Sequence, residues 1–207
     1  MIHDNGCLIV REMAGHPGLT TRAAWLESRA VSVAFGVTAF VVMMALGAHV
    51  RIPLPFTPVP ITLQTFFLSL AGATLGPVFG VASQVVYLFL GAVGVPVFAG
   101  GGSGLMYLVQ SATTGYLIGF IAAAALVGWL IRSRKDPGIA WILFSMAAGN
   151  LVVYTSGMLW LSLYLHVSPV NAVAIGVVPF LAGDVAKMCA AAGLFRGYRR
   201  RARIMFP

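Results

Sequence analysis

What most limits this chain is where its charges are missing. No Asp, Glu, Lys or Arg occurs between Arg51 and Arg132, and only Asp184 and Lys187 occur between Asp136 and Arg196. A hydrocarbon slab about 30 Å thick is crossed by about 20 apolar residues in a helix. The uncharged stretches are long enough for several crossings. Of the 207 residues, 59% are hydrophobic and 9% charged, where a soluble domain carries roughly 25% charged residues. A soluble core in so short a chain has no room for that much apolar surface. The chain reads as an all-α integral membrane protein.

Breakers and charges divide it into six spans. Residues 1–29 read as a cytoplasmic extension, because Asp4, Arg11 and Glu12 leave no continuous apolar run for a cleavable signal peptide. The first span covers about Ala30 to Ala48. Pro53, Pro55, Pro58 and Pro60 then forbid a regular helix. The second span runs from near Ile61 to Gly76-Pro77, only about 15 residues and short of the roughly 20 needed. Part of the proline run is therefore expected at membrane depth, which protein burial or a cavity permits. The third covers about Val78 to Val93, the fourth Thr114 to Ile131 and the fifth Ile139 to Leu165. The last begins near Val170 and is broken at Pro179 and Gly183, with Asp184 near the start of its second part. The membrane domain is 30–196, followed by a basic cytoplasmic tail, 197–207.

Six spans put every Lys and Arg except Arg51 and Lys187 on one side. By the positive-inside rule both termini are cytoplasmic. The proline run, the Gly100–Gly104 loop and the His166–Asn171 loop then face outward together. The net charge of +8 is explained by this asymmetry and not by nucleic-acid binding. Cys7 and Cys189 form neither a metal-ligand spacing nor a disulfide framework. Gly72, Gly76 and Gly80, and Gly115 and Gly119, have the four-residue spacing of close helix packing in lipid.

Asp184 and Lys187 stand out chemically. A charge within a span costs at least about 2.5 kcal/mol and persists only with compensation. Their i,i+3 spacing puts them on one helix face. They read either as a self-neutralising pair or as a polar binding spot, in which Lys187 and backbone N–H groups near the helix start favour an anionic or carbonyl-bearing ligand. Asp184 would accept from ligand N–H groups. The loop Ala99–Gly104 reads as a turn or as a cover over a small ligand. Its glycines are not a phosphate loop, since no strand–helix unit or GxxxxGK[ST] accompanies them. Gln64, Gln84, Asn150, Tyr87 and Tyr154 are polar within spans and most simply bond neighbouring helices. Gln64, just past the prolines, is the best ligand candidate among them. Catalysis and metal binding have no support, because one intramembrane carboxylate cannot make an aspartyl dyad and no HExxH occurs.

Three blocks carry a resemblance. The segment from Ile52 to Thr65, IPLPFTPVPITLQT, resembles the signature of the BioY family, biotin-binding S components of energy-coupling-factor (ECF) transporters. Gly94–Gly104 and Pro179–Lys187 are similar to two further family blocks, in the same order. The resemblance implies an S-component-like bundle of six transmembrane helices with a ligand pocket near the extracellular side. It implies biotin as transported ligand with no cofactor, in a bacterial plasma membrane. Asp184 suits the ureido N–H groups, and Lys187 the ureido oxygen or the carboxylate. Ser103 matches the polar residue of the family's glycine loop, and Gly102, Gln64 and Tyr116 complete the expected substrate-binding set.

The partners implied are a transmembrane coupling protein and two ATPases, since this chain has no ATP site. Two places depart from the family pattern. The alanine-xxx-alanine docking face corresponds here to Thr38-Ala39-Phe40-Val41-Val42, with Ala30 and Ala34 keeping the spacing earlier. The turn before the fourth helix reads Ser111-Ala112-Thr113-Thr114-Gly115-Tyr116. The competing readings are a proton-coupled or stand-alone carrier for a small carboxylate-bearing nutrient, and a membrane scaffold.

Overall fold

The structure, a computed structural model, describes residues 17–206, with side chains from residue 29 onward. Most of the 1–29 extension, with Cys7, therefore lies outside the described residues. Helix α1 (Pro17–His49) leads into strands β1 (Arg51–Leu54) and β2 (Thr57–Thr62). Then follow α2 (Gln64–Ala92), a 3-10 turn (Ala99–Gly101), α3 (Leu105–Gln110), α4 (Thr114–Arg132) and α5 (Ile139–Leu165). Short α6 (Pro169–Gly176), a second 3-10 turn (Val178–Phe180) and α7 (Leu181–Met205) complete the chain.

Among the described residues, five helical stretches are long and apolar enough to cross a membrane: Arg29–His49, Gln64–Ala92, Thr114–Arg132, Ile139–Leu165 and Pro169–Met205. One of them counts twice, because α2 folds back on itself. Gly76 has φ 79° and ψ −175°, a conformation open to glycine and strained for any other residue. Pro77, whose ring presets helical φ, starts the second arm. A Cβ on Gly80 would lie 3.2 Å from the Cα of Gly72, whereas eight residues along a straight helix span about 12 Å. The arms 64–75 and 77–92 are thus an antiparallel hairpin, and the described residues make a bundle of six helices.

The proline run is a β-hairpin, which the sequence reading did not foresee. Arg51 pairs with Thr62, Ile52 with Ile61 and Leu54 with Thr57, with an irregularity between Ile52 and Leu54. A two-stranded ribbon leaves alternate N–H groups on each strand without cross-strand partners, so it tolerates prolines that a helix would not. Thr57 and Val59 are buried, and Val59 packs into the core. The hairpin thereby covers the bundle end that the short first arm of α2 leaves open. Helix α3 was also unforeseen.

The last segment breaks at Pro179 as expected, with Asp184 just beyond the break, but it does not break at Gly183. The interruption falls at Val177–Phe180, and Gly183 lies inside an unbroken α7. Helix interiors tolerate glycine at about 1 kcal/mol relative to alanine. The helix also continues through the basic residues to Met205.

Helix α4 sits between α2 and α5. Its small residues permit this: a Cβ on Gly119 would strike Ser156 Oγ at 2.0 Å, and one on Gly128 would strike the Gly76–Pro77 backbone at 2.5 Å. Apolar side chains such as Phe35, Phe89, Ile118, Trp129 and Leu163 point out of the bundle, each more than half exposed. Ser83, Gln84, Ser145 and Asp184 are buried. Polar-inside, apolar-outside order suits a protein dissolved in lipid.

Candidate functional site

A cavity of about 570 Å³, counting its open part, lies under the β-hairpin. Val59, Pro60 and Thr62 of the hairpin and Ala99 of the glycine loop line one side. Leu117 and Phe120 of α4, Val153 of α5 and Phe180 supply apolar walls. Gln64, Thr65, Tyr154, Asp184 and Lys187 supply polar ones.

Asp184 occupies the first turn of α7, where the helix dipole favours a carboxylate. Thr65 Oγ1 donates to its Oδ1 at 2.9 Å, and the Tyr154 hydroxyl donates to its Oδ2. Lys187 forms an ion pair with Oδ1. Lys187 Nζ also donates to the Thr62 carbonyl at 2.8 Å and to Thr65 Oγ1 at 2.9 Å. The Asp184 side chain is 4% exposed and that of Lys187 14%. Three helices and the hairpin thus meet at one charged pair, and its burial is compensated as a buried pair requires.

Each donor and acceptor can be accounted for. The three ammonium protons of Lys187 match its three acceptors. Asp184 has about four acceptor directions and uses three. One therefore stays available for an N–H donor from a ligand. Backbone N–H groups at the start of α7 offer less than expected, because the 3-10 turn takes those nearest the break: Phe180 N donates to Val177 O at 3.0 Å, and Leu181 N to Val178 O.

Gln64 joins this floor to the glycine loop. Its Oε1 accepts from Thr62 Oγ1 at 3.1 Å, and its Nε2 donates to the Tyr87 hydroxyl at 2.9 Å. Tyr87 donates in turn to Val97 O at 3.0 Å. Tyr116 presents its ring to the cavity, while its hydroxyl donates to Gly176 O at 2.7 Å and braces the α6 break.

Ser103 and Gly102 are not among the cavity-lining residues. Gly102 packs against the Tyr107 ring, which a Cβ would approach to 2.3 Å, and its carbonyl accepts from Phe98 N at 3.1 Å. Ser103 is partly buried in the same loop. Phe98 anchors the loop between the rings of Tyr87 and Tyr107. Ala99 is the loop residue that reaches the cavity wall.

Thr65 and Tyr154 were not among the expected ligand residues, yet both contact Asp184. Tyr154 carried a usable signal, as a hydroxyl in the middle of an apolar span. Thr65 carried little, because threonine commonly bonds its own helix backbone.

Fold and cavity together define a multi-pass membrane bundle holding a polar-floored pocket beneath a hairpin cover. Residues 20–204 match the BioY family. The chain is 40% identical to the biotin transporter BioY of Thermotoga maritima, over 74% of this chain and 87% of that protein. It is 37% identical to a probable biotin transporter BioY of Pyrococcus horikoshii, over 75% and 88%. A crystal structure described as the S-component for biotin from an ECF-type ABC transporter superposes with a TM-score of 0.79 at 24% identity, covering 87% of this chain and 98% of that one. This chain belongs to the BioY family.

Proposed function

We propose that this chain binds biotin and takes it up across the plasma membrane as the substrate-specific subunit of an ECF-type transporter. The observation that carries the reading is the Asp184–Lys187 pair, walled into a small cavity with one carboxylate acceptor direction unused. The ureido ring of biotin has two N–H donors and one carbonyl. An N–H group fills the open direction on Asp184. The carbonyl reaches Lys187 by sharing or replacing one of its present acceptors. Leu117, Phe120, Val153 and Phe180 take the apolar parts of the ligand. The chain acts by binding and translocation and not as an enzyme, with biotin as cargo and no cofactor.

Both termini are placed in the cytoplasm, since the positive-inside rule puts Arg132, Arg134, Lys135 and the α7 arginines there. The hairpin and glycine loop then face outward. The coupling protein and two ATPases supply the energy in trans. On α1, Ala30, Ala34 and Thr38 are exposed along one stripe beside Val31, Phe35 and Val42. This is the face offered to the coupling protein.

Uptake of labelled biotin tests the reading. Cells that lack biotin synthesis and uptake, given this chain with a coupling module, should accumulate label. The Asp184→Asn variant should accumulate little at low external biotin. Uptake equal for wild type and variant, or absent from both at normal expression, contradicts the proposal.

A further inference from the structure

We infer that Arg51 is a specificity residue at the rim of the pocket, which holds the carboxylate of the ligand while the Asp184–Lys187 pair holds the opposite end. The inference rests on the biotin reading and extends it to the group at the far end of the ligand.

Arg51 is out of character with its surroundings. Among the described Lys and Arg residues it alone lies at the hairpin end outside the bundle. Its side chain has no hydrogen bond or ion pair with any described residue. Its register partner across the hairpin is Thr62. Paired residues of an antiparallel ribbon project to the same face, and Thr62 lines the cavity. The guanidinium comes to rest on Gly100, where a Cβ would lie 2.4 Å from Nη1. Gly100 follows Ala99, which also lines the cavity. An unpartnered guanidinium thus stands where the hairpin meets the glycine loop, and glycine is what gives it room.

The charges of the site fix which end of the ligand goes there. Two carboxylates placed side by side repel, more strongly in a poorly solvated site. A ligand carboxylate near Asp184 would face that repulsion, and the charge of Lys187 is already balanced by Asp184. The uncharged ureido ring has no such conflict at the floor. Its carboxylate therefore points to the rim, where an arginine fork suits it in geometry and charge. Exposure limits the gain, since solvent screens a rim pair.

Titration of the purified full-length chain in detergent with biotin and with biotin methyl ester tests this. Wild type should bind biotin about tenfold or more tightly than the ester. Arg51→Gln should weaken biotin about tenfold and leave the ester within about twofold, removing most of the preference. If the variant weakens both ligands alike, or neither, Arg51 does not read the carboxylate while the biotin reading stands. If folded wild type binds neither ligand, the biotin reading fails and this inference falls with it.

Discussion

Asp184 and Lys187 survive in an apolar setting because Thr65, Tyr154 and the Thr62 carbonyl complete their hydrogen bonding. Removing one member of such a set costs more than the contact itself, because the other is left buried and unpaired. Asp184→Asn or Lys187→Ala is expected to weaken biotin binding about 100-fold, within the 2–5 kcal/mol typical of a truncated buried pair. Tyr154→Phe removes one hydrogen bond to a charged group and should cost about tenfold; equilibrium binding on purified variants checks both. The charged pair was legible in the sequence, since every other charge lies at or beyond the end of an apolar stretch. Gln64 was legible from its place beside the prolines. Ser103 and Gly102 were expected in the pocket, but the structure uses this part of the loop for backbone geometry and lets Ala99 face the cavity. Thr65 was not legible, because its role depends on α7 arriving from 119 residues away.

At the scale of elements, most breakers in the sequence are breaks in the structure, though their kind is not legible and Gly183 is an exception. Gly76-Pro77 reads as a turn between spans, and it is one. The four prolines exclude a helix, yet only the register of Arg51 with Thr62 makes them a hairpin. Gly183 reads as a break and is none, because no positive φ is required of it there. These two glycines make a paired prediction. Gly76→Ala imposes a strained φ and crowds Arg132 at 2.8 Å, so it should destabilise by about 1–3 kcal/mol and lower the apparent unfolding temperature. Gly183→Ala meets nothing within 4 Å and should leave that temperature unchanged or raise it slightly.

For the whole molecule, the six-helix count was visible in the charge gaps together with the Pro and Gly breakers, and the Lys and Arg asymmetry predicts its orientation. With Cys7 and Cys189 replaced by Ser, an impermeant thiol reagent should label Ser168→Cys in intact cells and Ser133→Cys only after permeabilisation. The reverse pattern would invert the bundle and turn the hairpin inward. The central claim is that a vitamin with a ureido ring completes the bonding of Asp184. Calorimetric titration of the solubilised chain with biotin tests it most directly. Wild type should bind one equivalent in the nanomolar range, about −12 kcal/mol, and Asp184→Asn should bind about 100-fold more weakly while staying folded. Equal affinity in the two proteins would contradict the account.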